Sequence, residues 1–223
     1  MFFFPARREC KSDGEGAVRA CDEALRKAPG DLTLYFHRAL AFRAKGQQDR
    51  AIADMSKAIE QYDKYADAYI GRGTLYYTAG DIERALSDFD VAIKISPNDP
   101  IPYFWRGTSY ARKGDLDRAR SDLTKSIELE SKNAIDPDNR LAPAKGAVFD
   151  SRGLVHLRLG SLDKAISDYD TALKLSPRLA GSLYGRGLAK IKKGDNAGGD
   201  ADIADAKAIN ADIAEEYAKL GIN

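Results

Sequence analysis

The chain has 223 residues, of which 43% are hydrophobic and eight are prolines, a composition typical of a globular protein that can bury a substantial core. Its 35 lysines and arginines nearly balance its 34 aspartates and glutamates, so the overall charge gives no reason to expect nucleic acid or an anionic membrane as partner. No apolar run approaches the roughly 20 residues that cross a bilayer, which argues against an integral membrane protein.

Residues 1–12 form an N-terminal tail. Its apolar run, Phe2 to Phe4, is too short for a signal peptide and precedes the charges that should come first, although the tail could also be the stub of a processed leader. Cys10 and Cys21 lie eleven residues apart and could form a disulfide, which would imply an oxidising compartment; two free thiols are the alternative. The localisation is therefore open between the cytoplasm and, with a disulfide and a removed leader, the periplasm.

A 34-residue repeat occupies most of the chain. Glycines that precede an acidic or polar turn recur at intervals of 34, 34, 46 and 34 residues, at Gly46, Gly80, Gly114, Gly160 and Gly194. With this glycine at position 15, five repeats begin at Leu32, Ala66, Pro100, Gly146 and Ala180. Position 4 is aromatic or leucine, positions 8, 20 and 27 are small, and position 24 is large in every repeat.

This pattern resembles the tetratricopeptide repeat, and the resemblance covers residues 32–213. It implies an all-α fold, a right-handed superhelical solenoid of antiparallel helix hairpins, with repeats 1 to 3 in residues 32–133 and repeats 4 and 5 in residues 146–213. The residues themselves agree, because small side chains at positions 8, 20 and 27 let two helices approach closely while larger ones fill the space beside them. The "RG" and "SDFD" forms resemble repeats of bacterial type.

Both ends of the repeat array carry partial elements. Residues 13–30 match a second helix alone, with Ala17, Cys21 and Ala24 at positions 20, 24 and 27, and so predict a half-repeat. After the last repeat, residues 214–223 form a closing segment. Asn210 could cap its helix, and Ile213, Tyr217 and Leu220 are expected to cover the last hairpin.

Two segments depart from the repeat. Residues 134–145 are an insertion between repeats 3 and 4, which could bend the array or extend the next helix backwards from Pro143; a tolerated surface loop is the favoured interpretation. Gly198 and Gly199 lie where the last repeat needs a helix and cost about 2 kcal/mol against alanine. That helix should be the least stable of the array unless the closing helix clamps it.

Position 7 is arginine in all five repeats, although the commonest family pattern has leucine there, and position 23 is always aspartate. Within each hairpin both positions border the packing face, so we expect five bidentate ion pairs. Pairing between neighbouring repeats would leave charges unmatched, because the half-repeat has Ala20 at position 23. An acidic ligand bound by the arginines is the less favoured alternative. The pairs are Arg38 with Asp54, Arg72 with Asp88, Arg106 with Asp122, Arg152 with Asp168 and Arg186 with Asp202.

The resemblance also implies that first helices line a concave groove through positions 2, 5, 6, 9, 12 and 13. Its aromatic side chains are expected to face solvent and bind a peptide or helix with apolar anchors and some acidic residues; curvature or the N-terminal segment could instead cover them. The lysine at position 5 and asparagine at position 9 of the family's carboxylate clamp are absent. The predicted groove residues are Phe36, His37, Leu40, Arg43, Ile70, Thr74, Tyr77, Phe104, Trp105, Thr108, Arg112, Leu154, Arg158, Tyr184 and Leu188.

No catalytic pattern is present in the sequence. The histidines are His37 and His156, of which His156 lies at the packing position 11, and there is no phosphate loop, nucleophile elbow or metal-ligand spacing. We therefore predict a non-enzymatic scaffold without cofactor or metal that binds a protein or peptide. The alternatives are a helical repeat that binds single-stranded RNA, which the near-neutral charge disfavours, and an adaptor that self-assembles through its N-terminal half-repeat.

Overall fold

The computed structural model describes residue 10 and residues 16–132, 139–144 and 146–222, and within them it contains α-helices and no strand. The prediction of an all-α array of helix hairpins is confirmed. The chain divides into two compact units, residues 1–102 and 103–223. None of the helices in the described ranges is long and apolar enough to span a membrane.

The first unit contains the half-repeat and two hairpins, α2/α3 and α4/α5, in which each helix packs against the next one along the chain. Its helices are α1 (Ala17–Lys27), α2 (Leu32–Ala44), α3 (Gln48–Gln61), α4 (Ala66–Ala79) and α5 (Ile82–Ile95).

The second unit contains three hairpins, α6/α7, α8/α9 and α10/α11, and a short closing helix, α12. Residues 100–102 of α6 belong to the first unit. The helices are α6 (Pro100–Lys113), α7 (Leu116–Glu130), α8 (Ala147–Arg158), α9 (Leu162–Leu175), α10 (Ala180–Lys192), α11 (Asn196–Ile209) and α12 (Ile213–Lys219).

The turn within each hairpin depends on its position-15 glycine. All five adopt a left-handed backbone with φ between 70° and 94°, which side chains with a Cβ disfavour, and so end the first helix. In three hairpins the residue after this glycine is an aspartate that accepts a hydrogen bond from a backbone N–H in the first turn of the second helix: Asp81, Asp115 and Asp195.

Glycine at position 8 brings the two helices of a hairpin together. A Cβ on Gly73 would lie 2.6 Å from Phe89 Cε1, and one on Gly153 would lie 2.9 Å from Tyr169 Cε1. Phe89 and Tyr169 occupy position 24 and are fully buried. The small residue at position 8 therefore makes room for the large side chain at position 24.

A disulfide joins Cys10 to Cys21 of α1, and both residues are fully buried. They pack in a cluster with Ala20, Ala24 and Leu34, so the half-repeat is held against α2 by an apolar contact as well as by the cross-link. The remainder of residues 1–15 lies outside the described part of the chain.

The closing helix differs from its prediction in one packing contact and in its N-cap. Ile213 and Tyr217 are buried as expected, but Leu220 is 39% exposed, so its expected covering role is wrong. Gly221 adopts a left-handed backbone with φ 73° and turns the chain back, so that Ile222 donates its N–H to the Tyr217 carbonyl and is buried instead. The expectation that Asn210 caps this helix is also wrong: the N-cap of α12 is Asp212, whose N–H donates to the side chain of Asn210.

The described part of the insertion, residues 139–144, is more than a tolerated surface loop. Leu141 is 2% exposed, its N–H donates to Asn139 Oδ1, and its carbonyl accepts a hydrogen bond of 2.9 Å from Trp105 Nε1. Helix α8 begins at Ala147 and does not extend back to Pro143. The insertion therefore packs against the first helix of the preceding hairpin.

Candidate functional site

Each position-7 arginine forms a bidentate pair with the position-23 aspartate of its own hairpin. In all five pairs, Nε and Nη2 donate to the two carboxylate oxygens at 2.6–2.9 Å. The arginine side chains are 19–21% exposed and the aspartates 7–10%. These charges are therefore satisfied within the fold and are poorly placed to bind an acidic ligand.

The third nitrogen of the arginine reaches back to the preceding hairpin, a contact that the sequence interpretation missed. In four cases Nη1 donates to the side chain at position 25 of the preceding repeat or half-repeat, at 2.6–3.3 Å. These acceptors are Asp22, Ser56, Thr124 and Asp170. Each of these arginines thus links its hairpin to the preceding repeat or half-repeat. The signal in the sequence was that position 25 is polar wherever another hairpin follows and is alanine, Ala204, in the last repeat.

The hydrogen bonds to aspartate hold the guanidinium groups in their charged form. Those from Asp54 and Asp202 raise the pKa of Arg38 and Arg186 above the ordinary value, while burial lowers it in part and Asp22 and Asp170 raise it further. Burial alone would raise the pKa of Asp202, but hydrogen bonds from Arg186 and Lys190 bring it below its usual range. The Arg186–Asp202 pair therefore stays ionised at neutral pH.

In the first unit, the predicted groove is more closed than expected. Phe36 is only 9% exposed because its ring packs 5.5 Å from that of Tyr65, the residue before α4, so the expectation that Phe36 faces solvent is wrong. Leu40, Ile70 and Thr74 are also buried. The predicted residues that stay half-buried, and so reach solvent in part, are His37, Arg43 and Tyr77.

In the second unit, Phe104 is 6% exposed and its ring meets that of Trp105 edge to face, with centroids 5.1 Å apart. It packs in a core cluster with Ala119, Leu123 and Val155, so the expectation that it faces solvent is also wrong. Arg112 is exposed. The other predicted groove residues are half-buried: Trp105, Thr108, Leu154, Arg158, Tyr184 and Leu188.

Polar contacts within the second unit fix two of these side chains. The Trp105 indole donates to the insertion, and Arg158 Nη1 donates to the Ala111 carbonyl at 2.7 Å. Trp105 therefore joins α6 to the insertion, and Arg158 joins α8 to α6. Part of each side chain remains accessible to solvent. This surface therefore offers a ligand apolar area beside the further N–H groups of Arg158.

A polar network between the last two hairpins and α12 also escaped the sequence interpretation. Ser182 Oγ donates to Asp150 Oδ1 at 2.5 Å, and the Tyr217 hydroxyl donates to the Gly181 carbonyl at 2.7 Å. Burial raises the pKa of the Asp150 carboxyl, with the Ser182 hydrogen bond opposing it. Asp150 occupies position 5, where the other repeats carry an aromatic or aliphatic residue, and that exception was its signal.

Asp150→Asn is expected to stabilise the protein at pH 7 and to leave it unchanged near pH 4. A carboxyl whose pKa is raised by folding binds its proton more tightly in the folded state, so stability falls as the pH rises through the carboxyl range. Removing the charge should add about 1 kcal/mol at pH 7, or about 2 to 4 °C in Tm. Thermal unfolding at both pH values measures this.

Asp205→Asn, an exposed change on α11, is the control and should stay within about 0.5 kcal/mol of wild type at pH 7. An Asp150→Asn protein with the same Tm as wild type at pH 7, or a lower one, would show that the carboxylate is well solvated in the folded state.

None of the described residues forms a group of three or more histidine, cysteine, aspartate or glutamate side chains that could hold a metal ion. The partly exposed apolar side chains on first helices, within each unit, are the candidate site.

Comparisons with known proteins agree with this fold. Family models described as tetratricopeptide repeats match residues 11–66 and 36–100, 102–133 and 153–194. No curated protein matches the sequence.

Solved structures match at low sequence identity. YrrB, described as a TPR protein with an unusual peptide-binding site, is 21% identical with a TM-score of 0.65, over 91% of this chain and 100% of that one. TTC0263 of Thermus thermophilus, described as a thermophilic TPR protein, is 20% identical with a TM-score of 0.61, over 79% and 90%. The APC/C hetero-tetramer Cut9-Hcn1 is 19% identical with a TM-score of 0.77, over 87% of this chain but 36% of that one.

Proposed function

Because the chain belongs to the tetratricopeptide repeat family, we propose that it is a non-enzymatic scaffold for protein interaction, which binds a peptide or helix through apolar anchors on its first helices. The observation that carries the proposal is that each unit leaves first-helix side chains half-buried, Tyr77 in the first unit and Leu154, Tyr184 and Leu188 in the second. Large apolar side chains that remain partly exposed beside polar groups are typical of interaction sites.

Hydrogen bonds hold two side chains of this surface in place before a partner binds. Trp105 and Arg158 are oriented by hydrogen bonds to Leu141 and Ala111, so they present ordered rather than mobile side chains to a partner. A partner that meets a preorganised surface loses less conformational entropy on binding. The described peptide-binding site of YrrB, whose chain resembles this one in fold, supports the same class of ligand.

The burial of Phe36 and Phe104 narrows the choice of residues to test. Alanine at either position would remove a packed ring from a hairpin junction and so lower stability together with any binding. Tyr77 and Tyr184 are the better probes, because both lie on first helices and keep part of their surface in solvent.

We expect peptides with aromatic or aliphatic anchors to be selected by the protein from a library of random short peptides. Tyr77→Ala together with Tyr184→Ala should weaken the selected peptides about tenfold or more, equivalent to about 1.4 kcal/mol, because each change removes aromatic contact area. Calorimetric titration of purified peptides would measure the loss, and circular dichroism would show that the variant remains folded.

Tyr62→Ala is the matched control. Tyr62 is 48% exposed but follows the second helix α3, away from the first-helix surface, so its removal should leave the affinity unchanged. Equal losses in the two variants, or selected peptides without apolar anchors, would contradict the proposed surface. A preference for single-stranded RNA over peptides would contradict the proposed class of partner.

A further inference from the structure

A cavity of about 860 Å³ that opens widely to solvent lies in the second unit between the second helices α7 and α9, and its lining residues are distinct from those of the first-helix surface. Side chains of α8 also line it. No aliphatic, phenylalanine, tyrosine or tryptophan side chain is among its described lining residues. Its walls include Arg120, Ser121, Lys125 and Glu128 of α7 and Lys164 and Ser167 of α9.

His156 of α8 lines this cavity and is incompletely paired. The residue is 6% exposed, and its Nδ1 has no hydrogen-bond partner in the described part of the chain. Its Nε2 lies 3.8 Å from Asp168 Oδ2, beyond ordinary hydrogen-bond length. A buried polar atom without a partner is uncommon, and the His156 ring lacks the hydrogen bond that would fix its Nδ1.

The equivalent positions in hairpins α2/α3, α4/α5 and α6/α7 are occupied by a stacked pair. There an arginine at position 19 covers an aromatic ring at position 11, with guanidinium carbon to ring centroid distances of 4.1, 4.3 and 4.5 Å. Hairpin α8/α9 has His156 and Lys164 at these positions instead. Lys164 is exposed and forms no hydrogen bond or ion pair with any described residue, so its ammonium remains available.

A cavity of about 670 Å³ in the first unit provides the internal comparison. It is lined by Tyr76 and Arg84 at the same two repeat positions. Arg84 stacks on the Tyr76 ring and donates to Asp81 at 2.6 Å, so its charge is already compensated. The cavity in the second unit thus differs by an available ammonium group and an unpartnered imidazole.

We propose that the cavity between α7 and α9 binds a small hydroxylated phosphate ester, with the phosphate on Lys164 and Arg120 beside His156. Both cations suit an oxyanion, and Arg120, which holds Asp117 through Nη2 at 2.9 Å, has further N–H donors. Ser121, Ser167 and Glu128 offer hydrogen bonds to ligand hydroxyls. The volume lies within the range of small-molecule sites, and none of the described lining residues is an aliphatic residue, phenylalanine, tyrosine or tryptophan that would select a base or acyl chain.

The electrostatic surroundings of His156 make it a reporter of an added anion. Burial lowers its pKa and the Asp168 carboxylate opposes this, while Arg152 of α8, Lys164 of α9 and Arg120 of α7 lower it further. A phosphate beside these cations would favour the imidazolium and raise the pKa of His156.

The test is an NMR titration of the two histidine rings with glucose 6-phosphate, inorganic phosphate and glucose. Glucose 6-phosphate is expected to shift the His156 resonances to saturation and to raise the pKa of His156, while His37 in the first unit stays unchanged. Inorganic phosphate should require about tenfold higher concentration, because it lacks the hydroxyl contacts, and glucose should cause no shift.

Lys164→Ala is expected to weaken glucose 6-phosphate about tenfold, whereas Arg84→Ala, the equivalent change in the first unit, should leave its affinity unchanged. Both side chains are exposed, so neither change should disturb the fold. The proposal is overturned by the absence of a saturable His156 shift, by an equal response of His37, by inorganic phosphate binding as tightly as the ester, or by unchanged affinity of Lys164→Ala. Such a failure would not bear on the first-helix surface, because none of its probe residues lines this cavity.

Discussion

Arg72→Ala is expected to lower the free energy of unfolding by about 3 kcal/mol. The change leaves the Asp88 carboxylate, whose side chain is 7% exposed, without its bidentate partner. It also removes the hydrogen bond from Arg72 Nη1 to Ser56 Oγ, which joins hairpin α4/α5 to hairpin α2/α3. A buried charge that loses its partner costs far more than the pair contributes when intact, and this is the reason for the large effect.

Urea unfolding followed by circular dichroism measures the loss, and hydrogen exchange should show faster amide exchange in α4 and α5 than in α10 and α11. The double variant Arg72→Leu with Asp88→Leu should recover much of the stability, because it removes both charges together. Lys57→Ala is the control: the Lys57–Glu60 pair is more than half exposed, so its loss should leave the free energy of unfolding almost unchanged. An Arg72→Ala protein as stable as this control would refute a structural role for the position-7 arginines.

Gly199→Ala is expected to destabilise the protein by about 2 to 3 kcal/mol, although alanine is the better helix former. A Cβ at Gly199 would lie 2.7 Å from the Gly187 carbonyl oxygen and 2.5 Å from Ile191 Cγ1. The Gly187 contact is with backbone, so α10 and α11 would have to move apart. Gly199, whose low helix propensity should weaken α11, thus allows α10 and α11 to pack closely.

Gly198→Ala, one residue earlier on α11, is the matched comparison. A Cβ there meets the end of the Asp195 side chain, which can rotate, so we expect a neutral or stabilising change of up to about 1 kcal/mol. Thermal unfolding of both variants provides the measurement. Equal effects of the two changes, in either direction, would show that helix propensity and not the close approach of α10 and α11 determines the stability of this hairpin.

Repetition made the helices predictable. Four of the five predicted repeat starts, Leu32, Ala66, Pro100 and Ala180, coincide with the first residues of α2, α4, α6 and α10, and α8 begins one residue after Gly146. Aligning the same repeat positions in five copies reduces the uncertainty of any single helix boundary. The intra-hairpin pairing of arginine and aspartate followed from this register, because the half-repeat has alanine where a neighbour-pairing scheme needs aspartate.

The repeat register could not predict which candidate-site residues are exposed to solvent. Phe36 and Phe104 share position 5 with Ile70, and all three are buried, because the junction with neighbouring segments covers this position as well as the hairpin interface. A period of 3.6 residues tells which side of one helix a residue lies on. It does not tell how closely the next element approaches that side.

The amino-acid sequence alone determined the family, the hairpin boundaries, the glycine turns and the arginine–aspartate pairs, since each of these depends on residues within one 34-residue repeat. Only the tertiary structure decided which groove residues reach solvent and that four of the arginines also bind position 25 of the preceding repeat or half-repeat. It also decided that Leu141 is buried and accepts a hydrogen bond from Trp105, and that Ile222 is buried beside the closing helix in place of Leu220. The physical reason is that these contacts join different repeats, the insertion or the terminus, so they depend on how closely two elements approach, which the residue pattern within one repeat does not specify.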